Sequence, residues 1–229
     1  MNNELPNRLL AISHYIEPND YIADIGSDHG YLPIYLALHH SLRGINASDN
    51  KRGPYRRLVN NVLEAGLQDK IVCQLANGLE LLPIGVDTII ISGMGGEQIR
   101  EILTKGAPKL SSIKKLILLP HCQVKEVRLA LHQWGMAIQE EAIIEEGPHF
   151  YSLIVAKPGD EKLRIDQAIF GPRLLEKPTP AMYKMWTQYA QKLQKIADER
   201  NLPANRQTEI QQELQLISLF LRIEVSHND

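Results

Sequence analysis

Short apolar runs alternate with segments of helical spacing through the first 160 residues. Residues 21–25 form an apolar run, and residues 30–40 then place apolar side chains at helical spacing. Residues 86–91 are an unbroken apolar run, typical of a strand buried on both faces of a parallel sheet. The pattern also predicts strands at 42–47, 70–75 and 115–119, and helices at 5–16, 54–66, 99–103 and 124–134. This alternation predicts a doubly wound α/β sheet.

Two further extended stretches, residues 136–144 and 150–156, meet at the Gly147-Pro148 turn. Strands joined by so short a turn are antiparallel, because parallel strands need a crossover of about a dozen residues. A parallel sheet that ends in an antiparallel hairpin favours a Rossmann-like methyltransferase fold that uses S-adenosylmethionine over an NAD-binding Rossmann fold.

The spacing of apolar residues changes after residue 159. Residues 181–200 and 205–225 carry apolar side chains three, four and seven positions apart, which predicts an antiparallel, coiled-coil-like helix pair. We therefore expect a cofactor-binding catalytic domain at residues 1–159 and a helical C-terminal domain at residues 160–229.

The composition excludes few classes of binding partner. The 229 residues are 44% hydrophobic and 23% charged, with a net charge of -2, so any basic surface is a local patch. No window approaches the roughly 18 apolar residues of a membrane span, and we expect a cytoplasmic protein without a membrane partner. Cys73 and Cys122 form no metal or disulfide motif and are expected to be small buried residues.

The first strand runs into a tight turn of small residues, Asp24-Ile-Gly-Ser-Asp-His-Gly-Tyr-Leu-Pro33. Glycines let the backbone bend sharply and approach a ligand, and the following helix offers free N–H groups. The arrangement of strand, glycine turn and helix indicates a site for a nucleoside cofactor.

Two polar residues follow the next strands. Asp49 stands 25 positions after Asp24, and its carboxylate can accept hydrogen bonds from ribose hydroxyls. Alternatively, Asp49 is an exposed loop aspartate. Asn77 after the third strand is either a contact to an adenine edge or a turn residue preceding Gly78.

Asp28 replaces the middle glycine of a general dinucleotide turn. A carboxylate there repels a pyrophosphate but not a cofactor that carries an amino group and a sulfonium. The residue therefore favours S-adenosylmethionine over NAD. Asp28 is also a candidate helix N-cap, and the two interpretations are compatible.

The glycine loop, Gly93-Met-Gly-Gly96, follows the fourth strand and indicates a close backbone approach, either to a ligand or within a strained turn. His29 and His121 are either ligand contacts or structural loop residues. The histidine spacings match no metal motif, so we expect no metal, and no nucleophile motif occurs.

Four segments resemble the bacterial tRNA (adenine(22)-N1)-methyltransferase family, TrmK: residues 24–33, 93–96, 147–151 and 170–172. The resemblance runs in order through nearly the whole chain. It implies a class I S-adenosylmethionine-dependent methyltransferase domain, followed by a helical domain, that methylates N1 of an adenine in tRNA. The chain departs from the family pattern after the fifth strand, where Leu119-Pro120-His121 stands in place of the usual Gln-Pro-Asn. It also departs at Asp49 and at Ser152, where glutamate is usual.

Motifs and resemblance together give the expected site. Cofactor binding is assigned to Asp24, Gly26, Ser27, Asp28, His29, Gly30, Asp49, Asn77, Gly78, Gly93, Met94 and Gly95. Catalysis is assigned to Asp28, Gly93, Met94 and His121. Substrate contacts are assigned to Tyr31, Arg52, Arg56, Tyr151 and Arg173, with Lys51, Arg57, Lys184 and Lys192 as further basic groups.

N1 of adenine has a lone pair, so the attack on the methyl group needs no prior deprotonation. Asp28 is the candidate for stabilising positive charge that develops on the ring, and Tyr31 and Tyr151 are candidates for stacking an extruded base. Two alternatives remain at this point: a methyltransferase for a small molecule or protein, and a non-catalytic RNA- or nucleoside-binding module. The oligomeric state is equally open, as a monomer or a weak dimer through the helical tail.

Overall fold

Seven strands form one sheet in the order β3-β2-β1-β4-β5-β7-β6. The structure is a computed structural model that describes residues 5–198 and 202–225. The strands are β1 (Tyr21–Ile25), β2 (Gly44–Asp49), β3 (Ile71–Leu75), β4 (Thr88–Ser92), β5 (Lys115–Leu119), β6 (Met136–Glu146) and β7 (His149–Pro158). The helices are α1 (Asn7–Ser13), α2 (Tyr31–His39), α3 (Arg52–Glu64), α4 (Gly96–Lys105), α5 (Val124–Ala130), α6 (Ile165–Phe170), α7 (Pro172–Glu176), α8 (Pro180–Ala197) and α9 (Ala204–Val225).

Strands β1 to β5 are parallel, as the alternating pattern predicted. Their carboxyl ends therefore meet at one edge of the sheet, here called the carboxyl edge. The order reverses beside β1, which pairs with β2 on one side and β4 on the other. Ligands of open α/β sheets bind at such a reversal point.

The terminal hairpin is antiparallel, which confirms the methyltransferase-type sheet. β7 lies beside β5, with Leu118 opposite Ile154, and β6 is the edge strand. The earlier part of β7, including Tyr151, pairs with β6 beyond the end of β5. Tyr151 therefore lies on the carboxyl side of the sheet.

Alternate residues of each central strand enter two separate cores. Ile22, Ile90 and Ile117 pack with apolar residues of α1, α2 and α3 on one face. Ile89 and Leu116 pack with apolar residues of α4 and α5 on the other. Burial on both faces explains why β4 and β5 are continuous apolar runs rather than alternating ones.

Several predicted boundaries were wrong. The second strand begins and ends two residues later than expected, which makes Asp49 its last residue. Helix α1 is shorter than predicted, and the helix predicted at 124–134 divides into α5 and a 3₁₀ turn at Leu131–Trp134. The stretch 160–178, for which no helix was predicted, contains α6 and α7.

The chain divides into two compact units, Met1–Arg173 and Leu174–Asp229. This division lies later than the expected boundary near residue 160. The reason is a buried ion pair between Arg128 of α5 and Glu141 of β6, 2.7 Å apart. Arg128 also donates to the carbonyl of Ile169, and Glu141 accepts from the backbone N–H of Arg173. Residues 161–173 consequently belong with the sheet.

The second unit contains the predicted antiparallel helix pair. Tyr183 near the start of α8 stacks on Phe220 near the end of α9, with ring centroids 5.3 Å apart. Further along, the Tyr189 hydroxyl donates to Glu213. The predicted end of the first tail helix, Arg200, lies outside the described residues. Within 5–198 and 202–225, no helix is long and apolar enough to cross a membrane.

Candidate functional site

The glycine turn, residues 26–30, is tied to the end of β2. The backbone N–H groups of Gly26 and Ser27 both donate to the carbonyl of Ser48, at 2.8 and 2.9 Å. Gly26 and Gly30 have φ angles of +78° and +71°, which L side chains rarely adopt. A Cβ on Gly30 would stand 2.6 Å from Leu58 of α3, so this glycine also permits α3 to pack closely.

Asp24 lies at the carboxyl end of β1 with only 3% of its surface exposed. The pKa of its carboxyl is raised to about 6, chiefly by burial; a hydrogen bond from the Ser27 side chain lowers the pKa, and the nearby Asp49 carboxylate raises it. Asp24 therefore lies beneath the turn rather than in the cavity described below, and supports that turn from the interior.

Asp49 is the last residue of β2, and its carboxylate is oriented by two backbone donors. One oxygen accepts from Lys51 N–H at 2.9 Å, and the other lies 3.3 Å from Asp28 N–H. The side chain is largely buried, so Asp49 is not the exposed loop aspartate of the alternative interpretation. A fixed carboxylate at this position suits the recognition of vicinal hydroxyls.

Asp28 has a φ of 43° and forms an ion pair with Arg57 of α3 at 2.7 Å. Its second oxygen lies 3.5 Å from His29 Nε2. Gly30 rather than Asp28 is the N-cap of α2, so the N-cap interpretation was wrong. Because Arg57 offsets part of the Asp28 charge, Asp28 alone does not account for the expected repulsion of a phosphate. The Asp49 carboxylate contributes to this repulsion as well.

The glycine loop, residues 93–96, forms the opposite side of the site. Gly93 has a φ of +72° and open space where a Cβ would stand. The terminal methyl of Met94 occupies the place that a Cβ on Gly26 would need. The loop after β4 and the turn after β1 are therefore in direct contact through Met94 and a glycine.

A cavity of about 490 Å³ lies between these elements at the carboxyl edge. Of the twelve predicted cofactor residues, seven line it: Gly26, Asp28, Asp49, Asn77, Gly78, Gly93 and Met94. The other five do not line it: Asp24, Ser27, His29, Gly30 and Gly95. The structure thus brings together residues that are up to 68 positions apart in the sequence.

One wall of the cavity was not predicted from the sequence. Lys51 and Glu80 line the cavity, and so does one face of α4 together with the following turn: Gln98, Glu101, Ile102, Lys105 and Lys109. The ammonium of Lys109 donates to the carbonyls of Leu79 and Glu80 at 2.6 Å, which closes this wall. The spacing of the polar residues at 98, 101, 105 and 109 is helical and was the available signal.

The predicted substrate residues occupy different positions. Tyr31 is 47% exposed and stacks on His29, with ring centroids 5.1 Å apart, beside the turn. Arg52 and Arg56 are exposed on α3. Tyr151 is half-buried on β7 beneath the guanidinium of Arg8, 5.3 Å from its ring centre.

Arg173 is not brought to the cavity. Its guanidinium lies 2.5 Å from Glu161 and donates to the carbonyl of Ile138 at 3.0 Å. These contacts hold it against β6. His121, by contrast, follows β5 and donates its backbone N–H to Met94, which places it next to the glycine loop.

The expectation that both cysteines are buried was wrong. Cys122 is exposed in the loop after β5 rather than buried, because that loop lies at the carboxyl edge. Cys73 is half-buried, and burial raises the pKa of its thiol. Within the described part of the chain, no group of three or more His, Cys, Asp or Glu residues is arranged to hold a metal ion.

The model of the tRNA (adenine(22)-N(1))-methyltransferase family, TrmK, matches residues 22–223. The chain belongs to the TrmK family. This membership confirms the resemblance noted in the sequence, and it does not favour a methyltransferase for small molecules or proteins, or a non-catalytic module.

Three TrmK relatives show how far the likeness extends. The tRNA (adenine(22)-N(1))-methyltransferase of Bacillus subtilis is 34% identical over 203 residues, which are 86% of this chain and 85% of that protein. A Streptococcus pneumoniae structure, a putative tRNA (m1A22) methyltransferase in complex with S-adenosyl-L-methionine, is 32% identical with a TM-score of 0.88. It covers 95% of this chain and 100% of the other.

The third relative is M. capricolum TrmK in complex with the cofactor product S-adenosyl-homocysteine. It is 28% identical with a TM-score of 0.85, over 96% of this chain and 98% of the other. The likeness therefore includes the helical tail as well as the sheet. It confirms the two-part architecture of a Rossmann-like methyltransferase sheet followed by helices.

Proposed function

We infer that this protein is an S-adenosylmethionine-dependent methyltransferase that acts on N1 of adenine 22 in tRNA. The observation that carries this function is one cavity, lined by the glycine turn, Asp49 and the glycine loop, in a chain that belongs to the TrmK family. The bound cofactor supplies an electrophilic methyl group. The protein contributes position, charge and shape around that group.

The residues of the cavity fit this cofactor. The Asp49 carboxylate is held by backbone donors and is suited to accept ribose hydroxyls. Asn77 also lines the cavity, where its amide can contact an adenine edge. Gly93 has open space where a Cβ would stand, which lets the main chain approach the amino-acid end of the cofactor closely.

The target base reaches the cavity from the side of the glycine loop and His121. Adenine N1 attacks with its own lone pair, so no side chain has to remove a proton first. We assign to Asp28 the stabilisation of the positive charge that develops on the adenine, and its half-exposed carboxylate at the cavity supports this role. Tyr31 and Tyr151 offer aromatic faces for an extruded base.

Backbone phosphates of tRNA are contacted by exposed basic residues near the cavity, with Arg52 and Arg56 of α3 as the principal candidates. Lys51 and Arg57 extend this set, and Lys184 and Lys192 of the helical tail are separate candidates for phosphate contacts. Arg173 is withdrawn from it, because its guanidinium is engaged with Glu161 and β6. Solvent exposure of the α3 arginines supports their role.

The direct test is methylation of unmodified tRNA, followed by identification of the modified nucleoside by mass spectrometry. We expect 1-methyladenosine at position 22 and no product when that adenine is replaced by guanosine. Asp49→Ala is expected to weaken cofactor binding by at least about tenfold, as measured by calorimetry. Exposed Asp69, which does not line the cavity, provides the matched Asp69→Ala control.

Arg52→Ala and Arg56→Ala are expected to raise the KM for tRNA without changing cofactor affinity, because they remove phosphate contacts only. Lys114→Ala is the matched control, since Lys114 lies before β5 at the opposite edge of the sheet and pairs with Asp87. Normal cofactor binding without any methyl incorporation into tRNA would overturn the assignment.

A further inference from the structure

Two loops at the carboxyl edge are joined by backbone hydrogen bonds. These are the glycine loop, residues 93–96, and the β5 loop, residues 120–123. His121 N–H donates to the carbonyl of Met94 at 3.0 Å, and Gly96 N–H donates to the carbonyl of Cys122 at 3.0 Å. The first loop lines the cavity, and the second carries His121, where the proposed function puts the target base.

Gln123, the last residue of the β5 loop, accepts hydrogen bonds from two helices. Its side-chain oxygen accepts from the N–H of Glu97, in the first turn of α4, at 3.2 Å. Its backbone carbonyl accepts from Val127 of α5 at 3.4 Å. The side chain therefore satisfies a donor at the start of α4, while the main chain begins α5.

The contact between Gln123 and Gly96 leaves no space for a side chain. A Cβ on Gly96 would collide with the carbonyl of Gln123 and would stand 2.9 Å from its Cβ. A Cβ on Gly95 would stand 3.3 Å from the sulfur of Cys122. Because the loops touch in this way, a shift of Gln123 is transmitted to Gly96 and from there to Met94 and Gly93.

Gln123 adopts a backbone conformation that glycine would adopt more readily. Its φ is 55°, and among the residues that the structure describes only Asn19 and Asp28 are other non-glycine residues with positive φ. Such strain persists where surrounding interactions require it, often at functional sites. The feature that a glycine at 123 would lack is the side-chain oxygen bound to Glu97.

We propose that Gln123 is a positioning residue for methyl transfer that holds the glycine loop against the β5 loop. This contact fixes the positions of Gly93 and Met94 at the cavity relative to His121, on the side of the base. Donor and acceptor must be aligned closely for an in-line displacement, so a small movement of one loop lowers the rate. The catalytic part of this proposal rests on the proposed function, whereas the part that concerns the cavity does not.

The test compares Gln123→Gly with Gln123→Glu. Glycine removes the acceptor and relieves the backbone strain, whereas glutamate keeps an acceptor oxygen near the first turn of α4. We expect Gln123→Gly to weaken S-adenosylmethionine binding about fivefold in calorimetry and to lower kcat about tenfold, with an unchanged KM for tRNA. Its melting temperature should be equal to or above that of the wild type. Gln123→Glu should stay within about twofold of the wild type in cofactor affinity, kcat and KM, and should keep the wild-type melting temperature.

Asn19→Gly is the matched control, because Asn19 has a φ of 68° and is exposed in the loop that precedes β1. It relieves the same kind of strain away from the carboxyl edge and should leave binding and rate unchanged. The proposal is overturned if Gln123→Gly binds the cofactor as the wild type does, if Gln123→Glu shares the defect, or if Asn19→Gly reproduces it. Cofactor affinity decides these outcomes even if the wild-type protein methylates no tRNA, a result that would instead overturn the proposed function.

Discussion

The terminal methyl of Met94 lies in the space that a Cβ on Gly26 would occupy. The two residues belong to loops that follow different strands, β4 and β1, which are adjacent in the sheet. Two features therefore require a glycine at position 26: its φ of +78°, and the Met94 side chain that packs against it. The cofactor cavity depends on this contact, since both residues line it.

Gly26→Ala is therefore expected to damage the cavity rather than only the turn. The added methyl group must displace Met94, at a cost of about 1–3 kcal/mol in the free energy of unfolding. Cofactor affinity should fall at least tenfold, about 1.4 kcal/mol or more, in calorimetry. Gly66→Ala is the matched control, because Gly66 has a φ of +66° but no atom within 4 Å of the added Cβ. Similar losses of affinity in both variants would contradict the role given to Met94.

Asp24 makes stability depend on pH. Its carboxyl has a pKa of about 6 in the folded protein, raised from 3.8 chiefly by burial. Between these values the folded state binds more protons than the unfolded state, so the free energy of unfolding falls as pH rises. The expected loss from about pH 4 to above pH 6 is at most about 3 kcal/mol.

Urea unfolding at several pH values measures this dependence. Asp24→Asn should flatten the fall, because the amide does not titrate. Asp69→Asn, at an exposed position, should keep the wild-type slope. If Asp24→Asn and the wild type had parallel profiles between pH 4 and 7, the burial of an ionised Asp24 would not be the cause.

The buried pair of Arg128 and Glu141 is expected to be sensitive to the loss of one partner. Arg128→Met leaves the Glu141 carboxylate buried beside α5 and should lower the free energy of unfolding by about 3–5 kcal/mol. Replacing both residues by methionine should cost less than replacing Arg128 alone, because no uncompensated charge remains. Chemical denaturation checks both variants.

The exposed pair of Arg206 and Glu209 supplies a control for that comparison. Glu209→Gln should leave stability unchanged, since water screens both charges. Equal effects at the two sites would show that burial does not distinguish them.

Truncation tests the position of the unit boundary. A chain of residues 1–173 retains Ile169 and Arg173, which bind Arg128 and Glu141, whereas a chain of residues 1–159 loses them. We expect the longer fragment to bind S-adenosylmethionine within about twofold of the full chain and the shorter fragment to melt at a lower temperature. Both should bind tRNA more weakly than the full chain, as measured by filter binding. Full methylation of tRNA by residues 1–173 would exclude a role of the helical tail in binding.

Much of the fold could be read from local patterns. β1 and β5 were predicted with their correct bounds, because apolar runs and flanking turn residues are local signals. The antiparallel hairpin followed from the short turn at Gly147, which leaves no length for a crossover. The short helices α6 and α7 were missed, since they are held by Arg128 and Glu141 rather than by their own periodicity.

The site was determined only in part by the sequence. Asp49 and the glycines could be recognised as candidate site residues because a turn motif that follows a strand consists of residues adjacent in the sequence. That Arg57 pairs with Asp28, that Arg173 turns to Glu161, and that Gln123 reaches Glu97 required the tertiary structure. These partners are brought together by sheet order and helix packing, and a local pattern carries no record of contacts between residues 12 to 29 positions apart. The sequence by itself indicated the loops after β1, β2, β3 and β4 that line the cavity, and the tertiary structure added the wall formed by α4 and decided which charges and side chains remain available there.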